Sequence, residues 1–392
     1  MSKPISKPFD LYAADIDRDP FPMYEWLREE QPAYWNDRDK YWVLSRYEDV
    51  FNATQDWETF SSANGNLIDE IPGRTNATLG TTDPPRHDRL RALAQAAFMK
   101  KNFEYITGPT REVAAEAARA CKAKGTFDFV ADYSSTITVK VLMPLMGLPV
   151  LEPSTIRNKV VLAISTDRQT RGRNEELNAA FKWMTDFIST EVEKRRRNPQ
   201  DDLVTRLAEA EIDGDRLSDK EVLLTTATFV MAGVESLSSF MTTLALNMHD
   251  NREARARIFA DPKLMPQAIE ESLRYNTSAQ RFKRTIAREI ELHGKTLRPG
   301  ERVVMAYGSA NRDRRKFDNP DIYDIDRNPR GHLGFGSGKH VCLGSQLARM
   351  VSEVAMNEFL AQIPEFQLTK TDFPWVPSSN FRSPRELPFK IM

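Results

Sequence analysis

The amino-acid sequence predicts a mainly α-helical fold with small β-sheets, organised around one long central helix. The helix is indicated by the stretch from Leu217 to His249, roughly thirty residues or about 45 Å long. Its middle is apolar on all sides, as in a helix that runs through a core. Short β-like runs lie within residues 280–304 and 366–391. Because no internal repeat or low-complexity linker is present, we expect one domain over residues 1–392.

Local signals predict the remaining elements in chain order. A first helix begins after Pro20 and ends before Pro32. The polar residues 36–40 separate two aromatic runs, which is typical of a hairpin. Residues 60–83, rich in Gly, Asn, Thr and Pro, predict a long loop that is either functional or mobile. Ser218 and Glu221 form a capping-box pattern at the start of the central helix. Further helices are predicted from residue 47, at 86–98, 109–124 and 129–146, twice within 153–197, and at 266–275.

Composition excludes several classes of protein. The chain has 392 residues, with 55 Lys and Arg against 56 Asp and Glu, a net charge of −1. The absence of a basic excess argues against a nucleic-acid partner. The first twenty residues are polar and lack the apolar segment of a signal peptide. The apolar run 229–234 is too short to span a membrane. Two cysteines are too few for a disulfide framework, so we expect a cytoplasmic protein.

The most unusual stretch is a glycine-rich loop, residues 335–344, that contains Cys342 and immediately precedes a helical pattern at 346–363. Backbone N–H groups and a helix N-terminus near sulfur are expected to lower the pKa of a thiol. The loop therefore indicates a place where a thiolate is used.

Four roles are open to Cys342. A zinc site would need further ligands, and the sequence near it has neither a second cysteine nor a His-Glu-x-x-His array. A cysteine nucleophile would need a base, for which His340 is the nearest candidate. A buried structural thiol is the common default, although a glycine-rich loop buries a thiol poorly. The fourth role is that of an axial metal ligand, as in a haem-thiolate site.

Several ordered motifs together resemble the cytochrome P450 family. Residues 271–274 match its Glu-x-x-Arg helix motif, residues 311–323 the segment that follows, and residues 83–91 its third helix. In the family the Glu-x-x-Arg pair is buried and meets a further basic residue, here Arg327. Six residues match its haem-binding loop position by position, namely Phe335, Gly336, Gly338, His340, Cys342 and Gly344. The resemblance implies a triangular, single-domain fold with a long central helix.

The resemblance also implies the cofactor, haem b (iron protoporphyrin IX), with Cys342 as the axial ligand of the iron. His87 and Arg91 share one helix face, and the family uses these positions to bind the haem propionates. Arg284 and His340 match two further propionate donors. The other positions implied to bind the cofactor are Ala232, Gly233, Phe335, Gly336 and Gly344.

Residues 232–236 of the central helix, Ala-Gly-Val-Glu-Ser, resemble the family's oxygen-handling motif. The resemblance implies that Glu235 and Ser236 are catalytic and relay protons to dioxygen. The family usually has threonine where this chain has Ser236. Serine keeps the hydroxyl but has a less fixed rotamer, so we expect proton delivery to persist with looser coupling of electrons to product. The alternative is that Glu235 is a salt-bridged structural acid.

Substrate contacts are inferred from periodicity and from the long loop. Thr228 and Met231 share the helix face of Ala232 and Ser236. Because side chains alternate along a strand, Gln280 and Phe282 are predicted to lie on the same face as Arg284. Core packing is the alternative for all of these residues. The predicted pocket residues are Leu67, Ile68, Leu79, Thr228, Met231, Gln280 and Phe282.

The resemblance implies a monooxygenase that inserts one oxygen atom from O2 into a lipophilic small molecule by hydroxylation or O-dealkylation. No electron-transfer module is visible in the chain, so a separate ferredoxin and ferredoxin reductase would supply electrons to a monomer that needs no membrane. The ferredoxin would meet positive charge at Lys339 and Arg349. The alternatives are a peroxide-driven peroxygenase or decarboxylase, and a non-catalytic haem ligand-binding protein.

Overall fold

The computed structural model describes residues 8–392, and in this part of the chain it is mainly α-helical with small sheets. The predicted fold class is thus confirmed, while residues 1–7 of the predicted domain and of the polar N-terminal segment lie outside the described residues. The helices are α1 Ala14–Arg18, α2 Phe21–Glu30, α3 Tyr47–Gln55, α4 Arg86–Ala97, α5 Thr107–Lys124, α6 Ser135–Met146, α7 Pro153–Ile164, α8 Glu175–Arg197, α9 Leu203–Glu209, α10 Asp219–Met231, α11 Leu237–Asp250, α12 Arg252–Ala260, α13 Met265–Tyr275, α14 Tyr307–Ala310 and α15 Ser345–Gln362.

The strands are short and form several small sheets. A five-stranded sheet has the order β1-β2-β10-β7-β3, in which β2 and β10 are parallel and the other pairs are antiparallel. A three-stranded antiparallel sheet has the order β11-β12-β4. The strands are β1 Ala33–Asn36, β2 Tyr41–Leu44, β3 Phe60–Ser61, β4 Thr126–Asp128, β5 Glu211–Ile212, β6 Asp215–Arg216, β7 Arg281–Ile286, β8 Ile290–Leu292, β9 Lys295–Leu297, β10 Arg302–Ala306, β11 Phe366–Leu368 and β12 Pro388–Ile391.

The predicted central helix is confirmed as one 32-residue helix, Asp219–Asp250. It consists of α10, a π-helical turn at Ala232–Ser236, and α11. The predicted capping box is present at its start, where the side chains of Ser218 and Glu221 cap each other's backbone N–H groups. By length and composition the helix could cross a membrane, but 78% of its most apolar window is buried inside the protein. Its position in the core accounts for its apolar composition.

A buried ion pair fixes the segment that leads into the cysteine loop. Arg274 and Glu271 on α13 are both fully buried and are joined by two hydrogen bonds of 2.7 and 2.8 Å. Arg274 also donates to the carbonyl oxygen of Pro320, at 2.7 Å. Arg327 donates to Glu271 at 3.2 Å, which confirms the contact expected between α13 and the irregular segment after residue 311.

Candidate active site

A cavity of about 360 Å³ lies between the central helix and the loop that contains Cys342. Its walls are mostly apolar side chains from the central helix, α6, strand β7 and the loop around residues 66–80. The thiol-bearing Cys342 borders this cavity, whereas Cys121 is fully buried in α5. The volume and the apolar lining are typical of a small-molecule site.

The backbone of the cysteine loop is held in one conformation. The N–H group of Cys342 donates to the carbonyl oxygen of Phe335 at 2.9 Å, which closes the loop. Gly336 and Gly338 have φ angles of +68° and +65°, which residues with a side chain rarely adopt. A Cβ atom at Gly338 would also collide with the carbonyl oxygen of Thr54. The glycines therefore allow the tight turn that brings Cys342 to the cavity.

The pKa of Cys342 differs from the sequence-based expectation. The side chain of Cys342 is accessible from the open cavity, yet desolvation by the surrounding protein raises the pKa of this thiol, although the N–H group of Gly344 and the guanidinium groups of Arg91 and Arg349 favour the thiolate. Desolvation thus outweighs the loop and helix terminus that were expected to lower the pKa. Burial also raises the pKa of Cys121, to about 12. A coordinating metal deprotonates a thiol outright, so a metal bound at Cys342 would supply the stabilisation that a thiolate there needs.

The four predicted propionate donors gather at one end of the cavity. Arg91, Arg284 and His340 line it, and the ring of His87 packs edge-on against His340 with centroids 4.5 Å apart. Each is held by a neighbour: Arg91 donates to the carbonyl oxygen of Lys339 at 3.1 Å, and Nε2 of His340 lies 3.0 Å from the Ser62 hydroxyl. Residues from α4, β7 and the cysteine loop therefore converge on one position.

Burial disfavours the charged form of both imidazoles of this group. Burial, followed by the charge of Arg284, lowers the pKa of His340 to about 2. Burial likewise lowers the pKa of His87. The positive charge at this end of the cavity therefore comes from Arg91 and Arg284.

The donor set fits a flat cofactor with two carboxylates. Nε2 of His87 is buried without a hydrogen-bond partner among the described residues, while its Nδ1 lies 3.0 Å from Asp88. A buried polar atom without a partner is costly and needs an explanation. A carboxylate bound beside His87 and the two arginines would satisfy it once Nε2 carries a proton. Because Nδ1 donates its own proton to the Asp88 carboxylate, His87 is then an imidazolium. The cavity, the thiol and these donors are all compatible with haem.

The central helix forms the facing wall at its π-helical turn. Ala232, Gly233 and Ser236 all border the cavity. A Cβ atom at Gly233 would lie 3.0 Å from Cδ1 of Leu142, so the glycine also allows α6 to approach the helix closely. Single π-turns within α-helices often occur at functional sites.

Glu235 lies in this turn but does not border the cavity. It is 1% exposed, and Oε1 accepts a hydrogen bond of 3.0 Å from the Ser383 hydroxyl. Its Oε2 lies 3.4 Å from Nε of Arg157 on α7, without hydrogen-bond geometry. Burial raises the pKa of Glu235, although Arg157 and Ser383 favour the carboxylate. The structure thus separates the two expected proton-relay residues, with the hydroxyl of Ser236 at the cavity and the acid behind it.

The predicted pocket residues are divided between the cavity and other parts of the protein. Ile68 packs in a separate buried cluster near the N-terminal segment. Gln280 is fully buried one residue before β7, and its side-chain amide donates to the carbonyl oxygen of Thr277. Gln280 therefore does not follow the alternation of side chains along β7 that places Phe282 and Arg284 at the cavity. The residues that do line the cavity are Leu67, Leu79, Thr228, Met231 and Phe282.

Sequence reasoning missed several residues of the site. Phe98, Phe229 and Tyr307 also line the cavity. Arg157 and Ser383, which contact Glu235, are 78 and 148 residues away from it in the chain. A lone arginine or serine at such a separation gives no sequence signal, since only the tertiary fold brings it to the site.

Known proteins resemble this chain over nearly its full length. The family model described as Cytochrome P450 matches residues 156–374. A putative cytochrome P450 123 of Mycobacterium tuberculosis is 32% identical over 387 residues, covering 97% of this chain and 96% of that protein. Nocardicin C N-oxygenase of Nocardia uniformis is 34% identical, covering 98% of both. The solved structure of cytochrome P450 PksS of Bacillus subtilis has a TM-score of 0.89 at 26% identity, covering 98% of this chain and 100% of that one.

The class defined by the fold and the site is therefore that of haem-thiolate enzymes. The chain belongs to the cytochrome P450 family. It is a monooxygenase that binds haem b through a cysteine thiolate and works with O2, a lipophilic substrate and a redox partner.

Proposed function

We propose that this protein hydroxylates or O-dealkylates a lipophilic small molecule, with Cys342 as the axial ligand of its haem iron. The observation that carries the proposal is the position of the Cys342 thiol at an apolar cavity, beside two arginines and two imidazoles. Cys121 offers no alternative, because it is fully buried within α5. In this assignment residues 335–344 hold the cofactor from one side and residues 232–236 face it from the other.

The residues around the cavity would hold the haem through its propionates. When bound, thiolate-ligated haem activates O2 with two electrons and two protons, so that one oxygen atom enters the substrate and the other leaves as water. Arg91 and Arg284 would supply positive charge for the carboxylates, and His87 and His340 would donate hydrogen bonds to them. The orphan Nε2 of His87 supports this assignment. Phe335, Gly336 and Gly344 line the cavity and would border the cofactor on the Cys342 side.

Glu235 and Ser236 are proposed to supply the protons. The Ser236 hydroxyl borders the cavity, and Glu235 follows the same π-turn into the protein interior. The contact between Glu235 and Arg157 is 3.4 Å long and leaves Oε2 without a hydrogen bond. A carboxylate held so loosely can take up a proton and turn toward Ser236. The raised pKa of Glu235 supports this role, since it brings the acid closer to neutral pH.

The substrate class is supported by the lining of the cavity. Apolar and aromatic side chains dominate its walls, with Leu67, Leu79, Met231 and Phe282 among them. Burial of apolar surface would therefore provide most of the binding energy. The names of the relatives point to different substrates, such as nocardicin C for one and a polyketide synthase context for another. These names differ from one another and do not identify the substrate of this chain.

Electrons are proposed to come from a separate ferredoxin and its reductase, in the cytoplasm, to a monomeric single domain. The two cations expected to attract the ferredoxin are paired in the structure. Nζ of Lys339 lies 2.9 Å from Asp88, and Nε of Arg349 lies 2.5 Å from Glu270. Because both pairs are partly exposed, they are weak and can be exchanged for an acidic partner surface. We therefore expect the rate of reduction to fall as salt concentration rises.

The experiment that tests the proposal compares electron sources. Purified holoprotein is incubated with a panel of terpenes, aromatic acids, steroids and fatty acids, and ligands are first selected by a low-to-high spin shift. Turnover is then measured with ferredoxin, reductase and NADH under 18O2, or with hydrogen peroxide alone. The proposal predicts one 18O atom in a hydroxylated product. In an O-dealkylation the 18O atom leaves with the aldehyde, and the alcohol keeps the oxygen of the substrate. Product from peroxide alone would indicate a peroxygenase, and ligand binding without product would indicate a binding protein.

A further inference from the structure

The loop that provides Leu67 and Leu79 carries one buried cation that the proposed haem site does not use. Three arginines border the cavity within residues 8–392, namely Arg74, Arg91 and Arg284. Arg91 and Arg284 lie at the end near Cys342 and are assigned to the haem propionates. Arg74 belongs to the loop that also provides Leu67 and Leu79, which are proposed substrate contacts.

The hydrogen bonds of Arg74 leave one edge of its guanidinium group almost free. Nη1 donates to Oε1 of Glu70 at 2.8 Å. Nη2 makes only a long contact of 3.5 Å with Asn66. Nε is buried without a partner among the described residues, and the whole residue is 3% exposed. The free edge, formed by Nε and Nη2, presents two parallel N–H groups, the geometry that binds a carboxylate with two hydrogen bonds.

Glu70 does not satisfy this edge because its oxygens are already used by the loop. Oε2 accepts from the backbone N–H groups of Asn66, at 2.9 Å, and Leu67, at 3.1 Å. Oε1 accepts from the N–H group of Ile71 at 3.1 Å as well as from Arg74. Glu70 therefore acts mainly as the anchor of the loop.

The charges around Arg74 favour one further anion. Arg173 and Lys283 both interact electrostatically with Asp69 and Glu70. Asp69 has no cation within salt-bridge distance among the described residues, and it accepts hydrogen bonds from three hydroxyl groups. Arg302 adds a further positive charge near Lys283, so that the basic side chains around Arg74 outnumber the two carboxylates. A buried charge in excess is costly unless a ligand compensates it.

We propose that the substrate is a lipophilic carboxylic acid whose carboxylate binds the Nε and Nη2 edge of Arg74. The inference rests on the proposed function and specifies its substrate class. The apolar body of the acid would extend along Leu67, Leu79 and Phe282 toward the Cys342 end of the cavity. The carboxylate would remain at the loop, so that oxidation would fall on a carbon away from the acid group.

The test measures binding of matched acids and alcohols to the holoprotein by the haem spin shift. The probe pairs are dodecanoic acid with dodecan-1-ol, and 4-phenylbenzoic acid with 4-phenylbenzyl alcohol. We expect the wild-type protein to bind at least one acid about tenfold to hundredfold more tightly than its alcohol, the scale of hydrogen bonds between charged groups. In Arg74→Gln this preference is expected to disappear. In Arg74→Lys, which keeps the charge and loses the double donor, it is expected to fall in part.

The matched control is Arg255→Gln. Arg255 is also buried, pairs with Glu365 and has an Nε without a partner among the described residues, but it does not border the cavity. This variant should keep the full preference for acids. An equal loss in Arg255→Gln would show that the Arg74 variant acts through stability, which overturns the proposal.

Acids that bind the wild-type protein no better than their alcohols, including the failure of all four probes, would overturn the carboxylate proposal. This arm needs no variant and so does not depend on whether Arg74→Gln folds. The reduced carbon-monoxide spectrum of the same sample separates the two proposals. A normal thiolate band without a preference for acids leaves the monooxygenase proposal standing, whereas a missing band contradicts that proposal whatever the probes do.

Discussion

Two buried pairs in this protein each join a glutamate to an arginine. One pair is tightly hydrogen-bonded, and the other is not. Glu271 and Arg274 make two hydrogen bonds of 2.7 and 2.8 Å, and all three guanidinium nitrogens of Arg274 have acceptors. Glu235 and Arg157 approach only to 3.4 Å, and Nε and Nη2 of Arg157 have no hydrogen-bond partner among the described residues.

The difference follows from the surroundings of each pair. Arg274 and Glu271 are one helical turn apart on α13, and carbonyl oxygens of the segment after residue 311 complete their hydrogen bonds. Arg157 and Glu235 belong to different helices, α7 and the π-turn of the central helix. The first pair is fully hydrogen-bonded, and it holds the segment that leads into the cysteine loop in place. The second pair is loose enough to change partners, which suits a group that moves protons.

The largest expected effect comes from breaking the fully hydrogen-bonded pair. Arg274→Ala leaves Glu271 buried without compensation, so we expect a loss of about 3–5 kcal/mol of stability and poor retention of haem. The measurement is the urea midpoint of haem absorbance. Arg157→Ala should cost clearly less, because Glu235 has a raised pKa and can become neutral. Equal losses in the two variants would remove the distinction between the pairs.

Removal of the acid from the loose pair is expected to affect the reaction more than the fold. Glu235→Ala should slow O2-dependent turnover roughly 10²-fold, the usual scale of general acid catalysis. Glu191→Ala is a suitable control, since Glu191 is also buried and ion-paired but lies on α8, away from the cavity. Turnover that stays at the wild-type rate in Glu235→Ala would make Glu235 a structural acid.

A smaller effect is expected at Ser383, which positions Glu235 through a hydrogen bond. Ser383→Ala removes about 1 kcal/mol of interaction, which corresponds to a decrease of about fivefold in kcat. Ser383→Thr keeps the hydroxyl and should restore the rate. If neither variant changes kcat while both change stability, Ser383 contributes only to packing.

The smallest effect is expected at the cavity side of the π-turn. Ser236→Thr restricts the rotamer of the hydroxyl, worth about 0.5 kcal/mol, so the ratio of product to NADH consumed should rise by about twofold. The ratio is measured by product analysis against NADH absorbance. An unchanged ratio would mean that the missing methyl group does not limit coupling.

Local sequence signals were sufficient for much of the fold. The central helix, its capping box, the hairpin β1–β2 and the helices α4 to α8 follow from apolar periodicity, caps and turn residues. The short helices α1, α9 and α12 were not anticipated, because few residues and many charges leave little periodic pattern. Strand β4 was not predicted from the sequence, because its partner β12 lies far along the chain.

The site was predictable only where its residues form local motifs. The loop around Cys342 and the segment 232–236 are contiguous, and the structure brings them to one cavity. The partners of Glu235 and the free edge of Arg74 depend on contacts between distant segments. The pKa of Cys342 is raised, whereas the sequence predicts a lowered pKa. The local donors are visible in the sequence, but the desolvation caused by the surrounding fold is not.

The central claim is that Cys342 provides the thiolate that binds the haem iron. The most direct measurement is the reduced carbon-monoxide spectrum of Cys342→Ser, compared with wild type and with Cys121→Ser. We expect the wild-type protein and Cys121→Ser to show the thiolate band, and Cys342→Ser to lose it even where haem remains bound. A thiolate band in Cys342→Ser at the wild-type position would contradict the assignment.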